Sequence, residues 1–181
     1  MAHAEPFSAN TYVVLDVPSP VAGKVMAIRE RHRDDFRAAL PIEITIIGSS
    51  GVGEFEAGQD PDQVFPILDA IAADTSPIRA RFGPVHRFPG TDIFVLSLED
   101  EQPFRSLHRR IAASGILFRA SPFPFTPHCT LRSRSPILDE ESADLLSVSV
   151  ADGFLLGTLS VYMLDQLPCT LLHRVSLAGR S

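Results

Sequence analysis

Phe125-Thr126-Pro127-His128-Cys129-Thr130-Leu131-Arg132-Ser133 places a histidine, a hydroxyl and a guanidinium at every second position of one short run. Successive residues of a strand point to opposite faces, so His128, Thr130 and Arg132 share one face while Cys129 and Leu131 share the other. One face carries chemistry and the other packs. Pro127 has no amide hydrogen and restricts the residue before it, which suits the first position of a strand and fixes how the chain enters the histidine.

Far upstream, Ile42-Glu43-Ile44-Thr45-Ile46-Ile47 repeats the pattern and closes on Gly48. Glu43 and Thr45 fall on one face, Ile42, Ile44 and Ile46 on the other. Two strands of the form polar-x-Thr-aliphatic, one in each half of the chain, mark a weak internal duplication.

Outward from these two runs, residues 11–17 read as a strand ended by Pro18, and Ser19-Pro20 as the cap and first turn of a helix. Val21, Val25, Ile28 and Phe36 form the apolar stripe of that helix, with Arg29, Glu30, Arg31, Arg33 and Asp34 on its outer face. Glycine-rich Ser49 to Gly58 is a candidate mobile loop, and Gly48-Ser49-Ser50-Gly51-Val52-Gly53 lacks the Gly-Lys-Ser/Thr ending of a phosphate loop and reads as an ordinary turn. Asp60-Pro61 opens a second helix through Ala72. Residues 78–82 and 92–98 form a hairpin-like pair, 103–114 a third helix ended by Gly115, and 116–119 a short strand. An acidic first turn at Asp139-Glu140-Glu141 starts a shorter helix, and 154–164 and 170–177 supply the last strands. This order fits an α+β fold of two similar lobes rather than a doubly wound parallel sheet.

Pro127-His128-Cys129-Thr130-Leu131 resembles the second His-x-Thr motif of the two-histidine phosphoesterase superfamily, which includes the 2'-5' RNA ligase-like proteins and the cyclic nucleotide phosphodiesterases. Ile42-Glu43-Ile44-Thr45-Ile46 sits where the first motif would be, with Glu43 in place of its histidine. The resemblance implies a single bilobal domain over residues 1–181, a duplicated fold in which two antiparallel-rich sheets line a central cleft and helices pack outside. It further implies a metal-independent phosphoesterase without a cofactor, acting on a cyclic or 2'-5'-linked nucleotide or RNA end.

Opening a cyclic phosphodiester without a metal needs a base for water, an acid for the departing sugar oxygen, and donors for the non-bridging oxygens. His128 suits the first or second task because its ordinary pKa lies near the working pH. Thr45 and Thr130 are the candidate phosphate donors, and Arg132, with Arg134 beyond it, a candidate guanidinium for a phosphate oxygen. Glu43 is the substitute partner of His128. Ionised, it repels phosphate; in a dry cleft its pKa rises and it donates a proton. The same residues also fit a catalytically silent binding protein for a nucleotide or phosphorylated small molecule, because binding needs only donors and shape.

The totals bound the partners. The chain has 181 residues and a net charge of −6, which argues against electrostatic gripping of duplex nucleic acid and leaves a small phosphorylated nucleotide or an RNA end as the expected partner. No apolar run reaches the roughly 18 residues that span a bilayer, and residues 1–6 read as no signal peptide, so a cytoplasmic location is expected. Cys129 and Cys169 read as buried free thiols. His32 and His108, each beside arginines, read as solvated helix faces; His86, His173 and the arginines Arg79, Arg81, Arg87 and Arg119 are open as contributors to the cleft. No pair of residues has metal-ligand spacing.

Overall fold

Alternation in the two motif runs is realised as two edge strands. In the computed structural model, which describes residues 6–8 and 10–180, β2 (Glu43–Ile47) buries Ile44 and Ile46 completely in the core. Residues 1–5, where the absence of a leader was read, lie outside the described part. β2 pairs antiparallel with β1 (Thr11–Asp16), in a register that sets Glu43 opposite Asp16 and Thr45 opposite Val14. Cross-strand partners share a face, so Asp16, Glu43 and Thr45 point away from the apolar layer. β9 (Thr158–Met163) and β10 (Thr170–Ser176) complete this sheet, in the order β10-β9-β1-β2.

The second four-stranded sheet runs β7-β5-β4-β8, from β7 (Cys129–Arg132), β5 (Phe94–Leu98), β4 (Ile78–Arg87) and β8 (Gly153–Leu156). Every pairing in both sheets is antiparallel. In each lobe the motif strand is therefore an edge strand, as an internal duplication requires. β7 sends Cys129 and Leu131 into the core and keeps Thr130 and Arg132 on the opposite side of the strand. α3 (Pro61–Ala73) and α4 (Gln102–Ala112) pack on the first sheet, α1 (Val21–Arg31), α2 (Asp35–Ala38) and α5 (Asp139–Leu146) on the second. No helix of the described residues is long and apolar enough to cross a membrane.

Three local readings change. The helix expected from 19 to 36 breaks in two at Arg33, whose φ of 51° no helix accommodates, and Pro20 rather than Ser19 holds its cap position. The glycine-rich loop contains β3 (Val52–Phe55), which pairs with β6 (Phe118–Ala120) in a separate ribbon. It is tied down at Gly51, whose amide bonds the Phe123 carbonyl at 2.8 Å and where a Cβ would collide with the His108 ring. Cys169, expected to be a buried thiol, lies half-buried in the turn before β10.

The largest change concerns Arg29. Val21, Val25 and Arg29 recur at four-residue spacing, so the guanidinium follows the apolar stripe inward and is fully buried. It donates to the Thr130 carbonyl through Nε (3.0 Å) and Nη2 (2.8 Å), and through Nη1 to the carbonyls of Arg37, Leu40 and Pro41. One side chain thus ties β7 to the segment leading into β2. Arg29→Met keeps the stem volume and removes a donor from four carbonyls, of which that of Arg37 retains the Leu40 amide. We expect a loss of about 3–5 kcal/mol, read as a lowered urea midpoint at unchanged slope.

Candidate active site

Glu43 and Thr45 open into a pocket of about 310 Å³ whose wall also includes Tyr12, Arg37, Ser49 and Glu54. The Thr45 hydroxyl donates to Glu43 Oε2 at 2.9 Å, so one carboxylate oxygen is fixed. Glu43 is buried, and that burial raises its pKa above the ordinary value against the opposing pull of the Thr45 hydrogen bond and the Arg29 and Arg37 guanidinia.

His128 enters one residue before β7. Its Nδ1 lies 2.6 Å from the Thr126 carbonyl, an acceptor only, so Nδ1 carries hydrogen and Nε2 keeps the lone pair. Phe88 meets the ring edge-on at 5.2 Å between centroids and fixes its plane. Burial lowers the imidazole pKa, the Thr126 carbonyl opposes this, and Arg37 adds to the lowering. The carboxyl and the imidazole are thus pushed in opposite directions, Glu43 toward holding a proton and His128 toward releasing one.

The two strands meet across the lobes. β2 and β7 are in contact there, with the Glu43 amide directed at the Cys129 sulfur, and burial pushes that thiol up to about 11, so it is an inert packing group. Thr130 is buried with its carbonyl held by Arg29, and its hydroxyl has no protein partner among the described residues.

Arg37 is the cleft residue that the sequence reading passed over. Asp34 caps its helix through Oδ1, which accepts from the Arg37 amide at 2.9 Å, while Oδ2 accepts from the amides of Ser133 (2.7 Å) and Arg134 (3.1 Å). Burial works to raise the Asp34 pKa, but those amide hydrogen bonds hold it below the usual carboxylate range. The Arg37 side chain donates from Nε to Ser133 Oγ at 2.9 Å and reaches the pocket beside Glu43. Its signal in the sequence was only its place six residues before Glu43, in a segment read as the end of one long helix.

Arg132 does not join this group. Its guanidinium is buried and bonded to Glu141 Oε1 at 3.1 Å and to the carbonyls of Arg134 and Pro136, where it anchors α5. Alternation along β7 places it on the face expected, but its donors are committed to that loop and helix, and it lines a different pocket, with Arg33 and Asp144. Its expected contact with a phosphate oxygen therefore has no free donor fork behind it.

The remaining histidines sort by packing. His32 is buried between Glu141 and Asp144, and His108 is buried, stacked on Phe125 at 4.0 Å with Nδ1 2.7 Å from the Ile46 carbonyl. Both readings as solvated faces yield to helical spacing: Phe104, His108 and Ile111 form one stripe, as do Val25, Arg29 and His32. His173 lies outside the pocket, paired with Asp69 at 2.6 Å and stacked on Phe65. His86 is exposed on β4, in register with Val95 and through it with Thr130. None of Arg79, Arg81, Arg87 and Arg119 lines the Glu43 pocket; Arg87 pairs with Asp92 and Arg81 holds the Ala151 carbonyl.

Comparison with known proteins agrees with this architecture. A family model described as the 2'-5' RNA ligase superfamily matches residues 17–149. Among solved structures, the chain is similar to TT0787 of Thermus thermophilus, with a TM-score of 0.64 and 18% identity over 94% of this chain and 99% of that one. It is similar to E. coli LigT complexed with 3'-AMP, with a TM-score of 0.61 and 16% identity over 97% of this chain and all of that one. A third similar structure is described only as a phosphoesterase, with a TM-score of 0.60 and 17% identity over 97% and 100% of the two chains. No curated protein sequence matches significantly.

Proposed function

This chain belongs to the 2'-5' RNA ligase superfamily, and from that membership we propose a phosphoesterase that opens a cyclic or 2'-5'-linked phosphodiester at a nucleotide or RNA end, with the whole chain acting as one bilobal domain. One observation carries the proposal: the two motif edge strands are in contact, and Arg37, which lines the Glu43 pocket, acts on both a carboxyl that burial biases toward its protonated form and the His128 imidazole that burial biases toward its neutral form. Those are the directions of shift that suit a general acid and a general base, respectively.

In this reading His128 Nε2 takes a proton from water as the water oxygen attacks phosphorus. The bond from phosphorus to the sugar oxygen breaks on the far side, and Glu43 gives its proton to that oxygen. The cycle ends with His128 protonated and Glu43 ionised, and exchange with solvent restores both. The Thr130 hydroxyl, uncommitted to protein, donates to a non-bridging oxygen, while Thr45 orients Glu43. The attack needs water activated by a group that is neutral at the working pH, and Nδ1 anchoring keeps the reactive lone pair on Nε2. That E. coli LigT was crystallised with 3'-AMP supports a small phosphorylated nucleotide as the ligand class.

The test is a substrate panel of 2',3'-cyclic nucleotides, an ADP-ribose cyclic phosphate and a 2'-5'-linked dinucleotide, assayed in a chelator-containing buffer. Turnover of at least one phosphodiester is expected, with a bell-shaped pH profile that peaks on the acid side of neutrality. Binding without turnover across the panel would instead identify a silent binding protein.

A further inference from the structure

A cation set in a partly buried site costs free energy unless an anion or several acceptors answer it. Arg29 and Arg132 obey this rule, since each spends its guanidinium on protein oxygens. Arg37 does not. Its Nε is bonded to Ser133 Oγ and its guanidinium carbon sits over the Phe36 ring, 5.4 Å from the centroid, but neither Nη group donates to a protein oxygen among the described residues, and it forms no ion pair with Glu43 or Asp34. Burial works against its charge, with the pull of Glu43 opposing.

The surroundings hold this incomplete cation in place. Asp34 fixes the amide of Arg37 and, with its other oxygen, the two amides that follow β7, so α2 is clamped to the second motif strand. Arg29 fixes the Arg37 carbonyl and the Thr130 carbonyl at once. Two buried charged groups thus set the backbone of Arg37 in register with the strand that carries Thr130. The guanidinium acts on both Glu43 and His128, and it lines the pocket with Glu43 and Thr45.

We infer that Arg37 is the anion-holding residue of this cleft, its two free Nη groups forming a fork for the non-bridging oxygens of a bound phosphoryl group. The inference deepens the phosphoesterase reading of the same pocket and assigns it a dianion or monoanion of tetrahedral shape as the recognised element. A planar guanidinium suits two oxygens at once, which an ammonium does not. It also answers the difficulty Glu43 creates once it has given up its proton: a carboxylate beside a phosphate is repelled, and the Arg37 cation offsets that repulsion.

Inorganic phosphate is the probe, because its binding is measured by calorimetry without any turnover. Arg37→Gln is expected to weaken phosphate by roughly 10- to 100-fold. Arg37→Lys, which keeps the charge and loses the fork, should fall between the two, and Arg31→Gln, on an exposed residue paired with Asp144, should bind phosphate as the wild type does. In the unaltered chain the Arg37 Nε–Hε resonance is expected to shift on phosphate titration, a readout that survives even if Arg37→Gln folds poorly. Wild-type phosphate affinity in a folded Arg37→Gln, or an unmoved resonance at saturating phosphate, overturns the inference. A chain that binds phosphate through Arg37 yet hydrolyses nothing sinks the catalytic reading and leaves this one standing.

Discussion

His128→Asn is expected to lower kcat by roughly 10²- to 10⁴-fold, the usual worth of a positioned general base, while leaving KM within a few-fold. Asparagine is the informative choice because its amide nitrogen can reach the Thr126 carbonyl that now accepts from Nδ1, so the local hydrogen bond persists and only the Nε2 lone pair is lost. The acid limb of the pH profile should vanish with it, since that limb reports protonation of this imidazole. Folding stability provides a second reading. The folded imidazole has a pKa below the ordinary 6.5, so the unfolded chain takes up that proton first. Stability therefore falls as pH drops below about 6.5 and through the folded value, and His128→Asn should be relieved of that part of the acid sensitivity. Retention of more than a tenth of wild-type turnover by the asparagine variant would place the base elsewhere.

The two motif strands were legible because alternation is a local property. A strand with Ile44 and Ile46 on one side must put Glu43 and Thr45 on the other, whatever surrounds it, and the same holds for Cys129 and Leu131 against Thr130. That these two strands, 85 residues apart at Glu43 and His128, would meet was legible only through the family resemblance. Arg132 shows where alternation stops informing: it fixes the side of the strand, but not whether Glu141 and two carbonyls will take the guanidinium first. Charge class misled at Arg29, His32 and His108. A charged or titratable residue on a helix is assigned to solvent by default, and here four-residue spacing from Val25 and from Phe104 carried the true answer. Arg37 was illegible for a different reason. Its position depends on the break at Arg33 and on Asp34 reaching amides about a hundred residues away, contacts with no trace in the local sequence.

Glu43→Gln should cost activity and gain stability at once, a pairing that separates a working carboxyl from a merely solvated one. Glutamine can still accept from the Thr45 hydroxyl but has no proton to give the leaving oxygen, so kcat should fall by roughly 10²- to 10⁴-fold and the alkaline limb of the pH profile should disappear. That loss mirrors the His128 variant, which keeps the alkaline limb and loses the acid one. Burial holds the folded carboxyl's pKa above the ordinary 4.5, so the folded chain binds this proton more tightly than the unfolded chain does. The contribution to stability is full below about pH 4.5 and is lost as pH rises through the folded value. Removing the charge should thus stabilise the protein at pH 8 by about 0.5–2 kcal/mol and leave it unchanged near pH 4. Glu43→His completes the argument, because it restores a proton donor without a negative charge. It should recover at least about tenfold of the activity that glutamine loses and bind phosphate more tightly than the wild type. A glutamine variant that turns over substrate normally, with no gain in stability at pH 8, would show that the carboxyl is neither the acid nor strained by its burial.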